Sequence, residues 1–196
     1  MRTFAVVGHL APTGGGFSLD DLPGSAGRMD ILCRCVGAAL SVSHGIRRDA
    51  EIHLILLGPP DPPKNVLIRG ESVRSLSPDE RSTAALIRKS LALPAGESFR
   101  ESGPGVFVRR GDLQGHVGAG QFAVLSEAGE DVRAVGDLPP GFILSDHLDF
   151  TPGEEAALAG LPRISVGPRV LHAEHAITVL QNELDRREAG WTWTNR

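Results

Sequence analysis

Three short turns near the carboxyl end carry residue types from which chemistry can be built. "LSDH" (residues 144–147) ends one apolar run, "SVGP" (165–168) ends the next, and "RVLH" (169–172) leads into the last long periodic segment. In an open parallel sheet, loops at the carboxyl ends of neighbouring strands form the ligand crevice. Backbone N–H and C=O groups on such turns, those at Ser145 and Gly167 among them, can read the edge of an adenine, and Leu144, Val166 and Leu171 can sandwich its ring. The Val-Gly-Pro turn lacks the several glycines and the Lys of a phosphate loop, which argues against a di- or triphosphate and for a neutral or cationic adenosine compound.

Other groupings are weaker. Ser145, Asp146 and His147 have the letters of a hydrolase triad, but triad members meet across a fold and adjacent residues cannot adopt that geometry. His172 and His175 stand one helical turn apart without a third ligand at zinc spacing, so no metal is expected. The glycines at 115, 118 and 120 miss the spacing of a dinucleotide fingerprint. Cys33 and Cys35 point about 200° apart on a helix, so they read as buried free thiols.

The elements that must position these turns follow from periodicity. Residues 3–7 read as a first strand, followed by a Gly/Pro-rich loop over 11–24 and a helix from about Ser25 to Ser43. Residues 51–58 form a near-continuous apolar run, the habit of parallel strands, and 66–68 a short strand or edge. Ser77-Pro78-Asp79-Glu80 reads as a capping box opening a helix from Pro78 to about Leu91. Two strands follow in "PGVFVRRG" and "QFAVLSEAGEDV", the second closing through a turn at 127–131. "FILSDH" is another strand, Thr151 to Glu154 a second capping box on a short helix ending near Gly160, "RISV" the last strand, and "GWTWTNR" a tail after the last helix. Alternating strands and helices predict an α/β fold with a mostly parallel central sheet flanked by helices.

At 196 residues, 41% hydrophobic and 22% charged, the chain suits one domain spanning 1–196. No apolar run is long enough for a signal peptide or a membrane span, which predicts a cytoplasmic protein without membrane contact. The net charge of −4 argues against non-specific coating of nucleic acid. Arginines nonetheless bunch at 28, 34, 47 and 48, at 81 and 88, and at 109 and 110, where planar guanidinium forks could grip RNA phosphates. The absence of Tyr and an aromatic content of 5% disfavour a base-stacking platform.

"VVGHLAPT", "FSLDDLPGSAGRMDILCRC", "SHGIRRD", "LLGPPDPP", "PDERSTAALIRKSL", "LSDH" and "SVGPRVLHAEHAITVLQNELD" together resemble the archaeal tRNA pseudouridine-54 N1-methyltransferases of the SPOUT superfamily. The likeness covers nearly the whole chain and is weakest over residues 97–136. It implies S-adenosylmethionine as methyl donor, tRNA as substrate, a homodimer, and a carboxy-terminal trefoil knot over about residues 140–190, a topology that ordinary folding rules would not propose. Residues 165–171 would then be a cofactor loop making backbone contacts, with Gly167 allowing close approach and Pro168 fixing the turn. Ala176 falls where the family often has Cys, so a contact through that sulfur is absent and backbone contact could persist. Asp21 aligns with an acidic position of related ribosomal-RNA pseudouridine methyltransferases and is the expected catalytic carboxylate near N1, with Asp20 and Asp30 as competitors. Arg28, placed on the first turn of its helix where a cation is unfavourable, is assigned with Asp21 to the target base or its phosphate. Arg34 and Arg81 are further expected RNA contacts. The alternatives are N1-methylation of an rRNA pseudouridine, or a non-catalytic RNA-binding protein on the same fold.

Overall fold

The computed structural model describes residues 1–191, and residues 192–196 of the expected tail lie outside the described residues. The chain runs β1 (Arg2–Pro12), α1 (Met29–Leu40), β2 (Ser41–Val42), β3 (Gly45–Ile46), β4 (Ala50–Gly58), β5 (Lys64–Arg69), α2 (Glu80–Leu91), β6 (Arg100–Gly103), β7 (Val106–Arg110), α3 (Leu113–Val117), β8 (Phe122–Asp131), β9 (Gly141–Ser145), α4 (Pro152–Ala157), β10 (Arg163–Ser165) and α5 (Ala173–Glu188). One sheet takes the order β10-β8-β9-β1-β4-β5-β7-β6, and β2 pairs with β3 in a separate small ribbon. The five strands from β10 to β4 pair in parallel, whereas β5, β7 and β6 extend the sheet antiparallel.

Burial on both faces explains the continuous apolar runs of the central strands. Phe4 and Val6 of β1 face a core shared with α1, α2 and α5, while Ala5 and Val7 face a second core with Leu113 of α3 and Leu158 after α4. The α/β class and the mostly parallel sheet flanked by helices agree with the sequence reading. Residues 51–58 are parallel to β1 as expected but antiparallel to β5 on their other side. β5 is also not an edge, since β7 covers it.

Several boundaries move for local reasons. α1 begins at Met29 rather than Ser25, because Gly27 and Arg28 both take left-handed backbone angles, φ 53° and 64°. A Cβ at Gly27 would stand 1.9 Å from the Leu10 carbonyl oxygen, so this turn requires glycine. Its far end is Leu40, since Ser41 turns extended and enters the β2–β3 ribbon. α2 begins at Glu80, because Asp79 rather than Ser77 caps it: the Asp79 carboxylate accepts the Ser82 amide at 2.8 Å. At α4 the expected box forms, with Glu154 Oε2 accepting the Thr151 amide at 2.7 Å and Thr151 Oγ1 accepting the Glu154 amide.

β8 runs through residues 127–131 without the expected closing turn, yet its ladder with β10 slips there. Arg163 pairs with Val124 and the next residue, Ile164, with Glu130. The intervening residues lie outside the regular pairing, and Leu125, Ser126 and Glu127 among them face a cavity at this end of the sheet.

Candidate functional site

β8 lies between β9 and β10, so the chain crosses from one flank of β8 to the other when it passes from β9 to β10. A crevice opens at such a reversal of strand order. There a cavity of about 480 Å³ is lined by the β8 slip, the turn after β9, the turn after β10 and the first turn of α5. This volume falls in the range of about 300–1,000 Å³ usual for small-molecule sites. Leu144, Ser145, Val166, Gly167, Leu171 and Ala176, all expected from the sequence, line it together, whereas Pro168 does not. The turn after β10 is closed by Ser165, whose Oγ donates to the Gly167 carbonyl at 2.8 Å and accepts the Gly167 amide at 3.3 Å. A Cβ added at Gly167 would meet nothing within 4 Å, so the space in front of this glycine is left for a ligand rather than filled by protein.

An ionic network that sequence reasoning missed reaches the cavity wall through Asp146. His9, two residues beyond Val7, the last β1 position paired with β9, donates its amide to Asp146 Oδ2 and places Nδ1 on Asp146 Oδ1, both at 3.0 Å. Its Nε2 reaches Glu154 Oε2 at 3.0 Å. The hydrogen bond with Asp146 raises the His9 pKa to about 9; burial opposes the rise and Glu154 adds to it. Burial alone would raise Asp146, but the bonds from His9 and from the Leu148 amide hold it below the usual carboxylate range. His9, between Asp146 and Glu154, therefore joins β1 to the turn after β9 and to α4 through charged partners. Ser145 Oγ donates instead to the Leu148 carbonyl, so residues 145–147 are no triad. The signal was a Gly-His late in β1 and an Asp just after β9, which become neighbours only once the two strands pair.

The amino-terminal residues gather on α1 and the loop before it. Asp21 is exposed and its Oδ1 accepts the Gly24 amide at 2.9 Å. Arg28 precedes α1 instead of sitting in its first turn, and its guanidinium makes a two-bond pair with Asp30, 3.1 Å for each bond. The expected clash with the helix dipole does not arise, because Asp30 supplies the negative charge that the first turn favours. Asp30 is buried; burial pushes its pKa up, but Arg28 and Arg34 together bring it below the usual range, so it is a poor proton acceptor. Arg34 reaches Asp30 at 3.0 Å, Glu80 of α2 at 3.1 Å and Glu174 of α5 at 2.8 Å. Its fork is occupied by protein carboxylates, and it clamps three helices. Arg81 pairs with Asp20. Among the other bunched arginines, Arg47 binds Asp185 and Arg48 donates to the carbonyls of Gly70 and Val73.

Cys33 and Cys35 are free and buried, and burial pushes both thiols up. Of the 115–120 glycines, Gly115 lies on α3, where Asp112 caps its amide at 2.8 Å, Gly118 ends that helix and Gly120 follows it, so they form no nucleotide loop. Among the described residues, no group of three or more His, Cys, Asp or Glu is placed to hold a metal, and no helix is long and apolar enough to cross a membrane.

A nucleoside-sized crevice at the carboxyl ends of parallel strands, walled by backbone turns, is the architecture of an α/β protein that takes a small ligand at its sheet edge. Residues 1–189 match the family described as "Putative SAM-dependent RNA methyltransferase", and the chain belongs to that family. It is 47% identical over 193 residues to the tRNA (pseudouridine(54)-N(1))-methyltransferase of Methanospirillum hungatei JF-1, covering 97% of this chain and 100% of that protein. It is 50% identical over 196 residues to the protein of the same name from Methanosarcina acetivorans, covering 96% and 93%. Among solved structures, Archaeoglobus fulgidus Nep1 bound to S-adenosylhomocysteine is similar in fold, with a TM-score of 0.64 at 14% identity, covering 96% of this chain and 98% of that one.

Proposed function

We propose that this chain transfers the methyl group of S-adenosylmethionine to N1 of pseudouridine 54 in the T-loop of tRNA. The observation that carries this reading is the near-full-length likeness to relatives of that name, 47% identical over 97% of the chain. The cavity agrees with it in size, in its apolar Leu144, Val166 and Leu171, and in the open space before Gly167.

When bound, the donor supplies an electrophilic methyl group on a sulfonium sulfur. Pseudouridine has a free N1–H, so the N1–CH₃ bond forms as the S–CH₃ bond breaks, the bonding pair stays on sulfur, and the N1 proton leaves. Asp21 is the residue proposed to receive that proton or to hold the ring in the orientation that releases it. Its Oδ1 is steadied by the Gly24 amide, and among the described residues Oδ2 has no hydrogen-bond partner. Arg28 and Arg81 are proposed to contact the RNA, each keeping its acidic neighbour, while Arg34 serves as the clamp that holds α1, α2 and α5 in place. Most of the acceleration would come from alignment of base and methyl, since the sulfonium is already reactive.

The same reading takes the chain as a single domain acting as a cytoplasmic homodimer, with a trefoil knot over about residues 140–190. In that arrangement α5 returns from the β10 edge to pack on α1, where Gln181 Nε2 donates to the Ala39 carbonyl at 2.8 Å. Val170 and Val179 leave exposed apolar surface that a second copy would cover.

The test offers a tRNA T-arm and an rRNA hairpin, each with pseudouridine, together with methyl-labelled donor. Label on N1 of the T-arm pseudouridine, and none when uridine replaces it, is the expected result. Label confined to the rRNA hairpin would move the substrate to rRNA. No label on either RNA and no thermal shift with the donor would leave a non-catalytic RNA binder.

A further inference from the structure

The charges around the cavity sort into two groups. Asp146 is neutralised by His9, and Glu155 by Arg163. Glu127, Asp149 and Arg169 also line the cavity, and among the described residues none of the three has an ion-pair or hydrogen-bond partner for its side chain. They come from three separate elements: the β8 slip, the turn after β9 and the turn after β10. His147 and His172 are the other ionisable side chains of the wall. The unspent charge of the site is thus two carboxylates and one guanidinium.

A methyl donor of the sulfonium type carries the mirror image of this pattern: one carboxylate, one ammonium and one sulfonium. We infer that Glu127, Asp149 and Arg169 form the subsite for the charged amino-acid end of the donor. Arg169 takes the α-carboxylate, for which its planar fork is the matching donor, and the two acids face the ammonium and sulfonium charges. The inference rests on the cofactor reading above and extends it from the adenosine half of the ligand to its charged half. It also gives a reason for the exclusion of nucleotides, because a polyphosphate would meet two carboxylates with only one cation to offset them.

Three ligands separate the parts of this set in binding measurements by calorimetry: S-adenosylmethionine, its decarboxylated form, and uncharged 5′-methylthioadenosine. Arg169→Gln is expected to weaken S-adenosylmethionine about tenfold or more while leaving the decarboxylated form and methylthioadenosine within about twofold. The double variant Glu127→Gln/Asp149→Asn is expected to weaken both sulfonium ligands about tenfold and to spare methylthioadenosine. Equal loss of all three ligands in Arg169→Gln would mean damage to the turn and would overturn the subsite. Unchanged affinity for S-adenosylmethionine, with or without a loss of tRNA binding, would overturn it as well. Failure of the unsubstituted protein to bind any of the three would sink the cofactor reading itself and the subsite with it.

Discussion

His9 holds Asp146 at two points, amide to Oδ2 and Nδ1 to Oδ1, each 3.0 Å long, and so joins the ends of two parallel strands by an ion pair. With Nε2 on Glu154 the imidazolium also ties down the start of α4. Asp146 itself lines the cavity, with His9 and Glu154 behind it, so the turn after β9 is held by charge as well as by the sheet.

The pH dependence of stability follows from this pair. His9 has a folded pKa of about 9 against 6.5 for the ordinary side chain, so the native state holds its proton more tightly. A raised pKa gives stability that is complete below about pH 6.5 and is lost as pH rises through about 9. The span corresponds to about 3 kcal/mol, and the depressed values of Asp146 and Glu154 describe the same contacts rather than additional ones. Denaturation measured from pH 6 to 9.5 should show this loss in the unsubstituted protein and a much flatter profile in His9→Gln. Identical slopes would show that His9 is not the titrating group.

Gly167→Ala should separate folding from binding. The added Cβ meets nothing within 4 Å, and the residue does not have a positive φ, so the free protein should keep its stability to within about 0.5 kcal/mol. Donor affinity should fall about tenfold or more, because the methyl occupies ligand space. Thermal denaturation without ligand and calorimetric titration of the donor measure the two effects.

Asp21→Asn should lower turnover by about 10²-fold or more while the donor binds as before, the range expected for losing a general base. Asn can still accept the Gly24 amide, so the loop should persist. Single-turnover rates with saturating T-arm RNA test this, and an unchanged rate removes Asp21 from the mechanism.

Arg34→Met should destabilise the fold by about 2–3 kcal/mol, because buried Asp30 and Glu174 lose a shared cation; partial exposure of the guanidinium places the effect below that of a fully buried pair. The loss should appear in the denaturation midpoint without RNA. A stable variant with weakened tRNA binding would restore Arg34 to the RNA-contact set.

The sequence was most legible where local chemistry decides. The Thr151–Glu154 box formed because its hydrogen bonds lie within four residues, and the apolar run of residues 51–58 became a central strand because both faces are buried. It was least legible where the answer depended on a distant partner. Arg34 has the form of a phosphate ligand until Glu80 and Glu174 arrive from α2 and α5, and Arg28 has an unfavourable position until the left-handed turn at Gly27 shifts the helix start past it.

By itself the sequence determined the α/β class, the turns that wall the cavity and the resemblance to a methyltransferase family, since periodicity, turn residues and family motifs are properties of short stretches of chain. The tertiary structure decided which charges are neutralised and which remain open. His9 meets Asp146 across 137 residues and Arg34 meets Glu174 across 140, whereas Glu127, Asp149 and Arg169 find no partner among the described residues. Charge pairing depends on distances of a few ångströms, and only the packed sheet and helices set them.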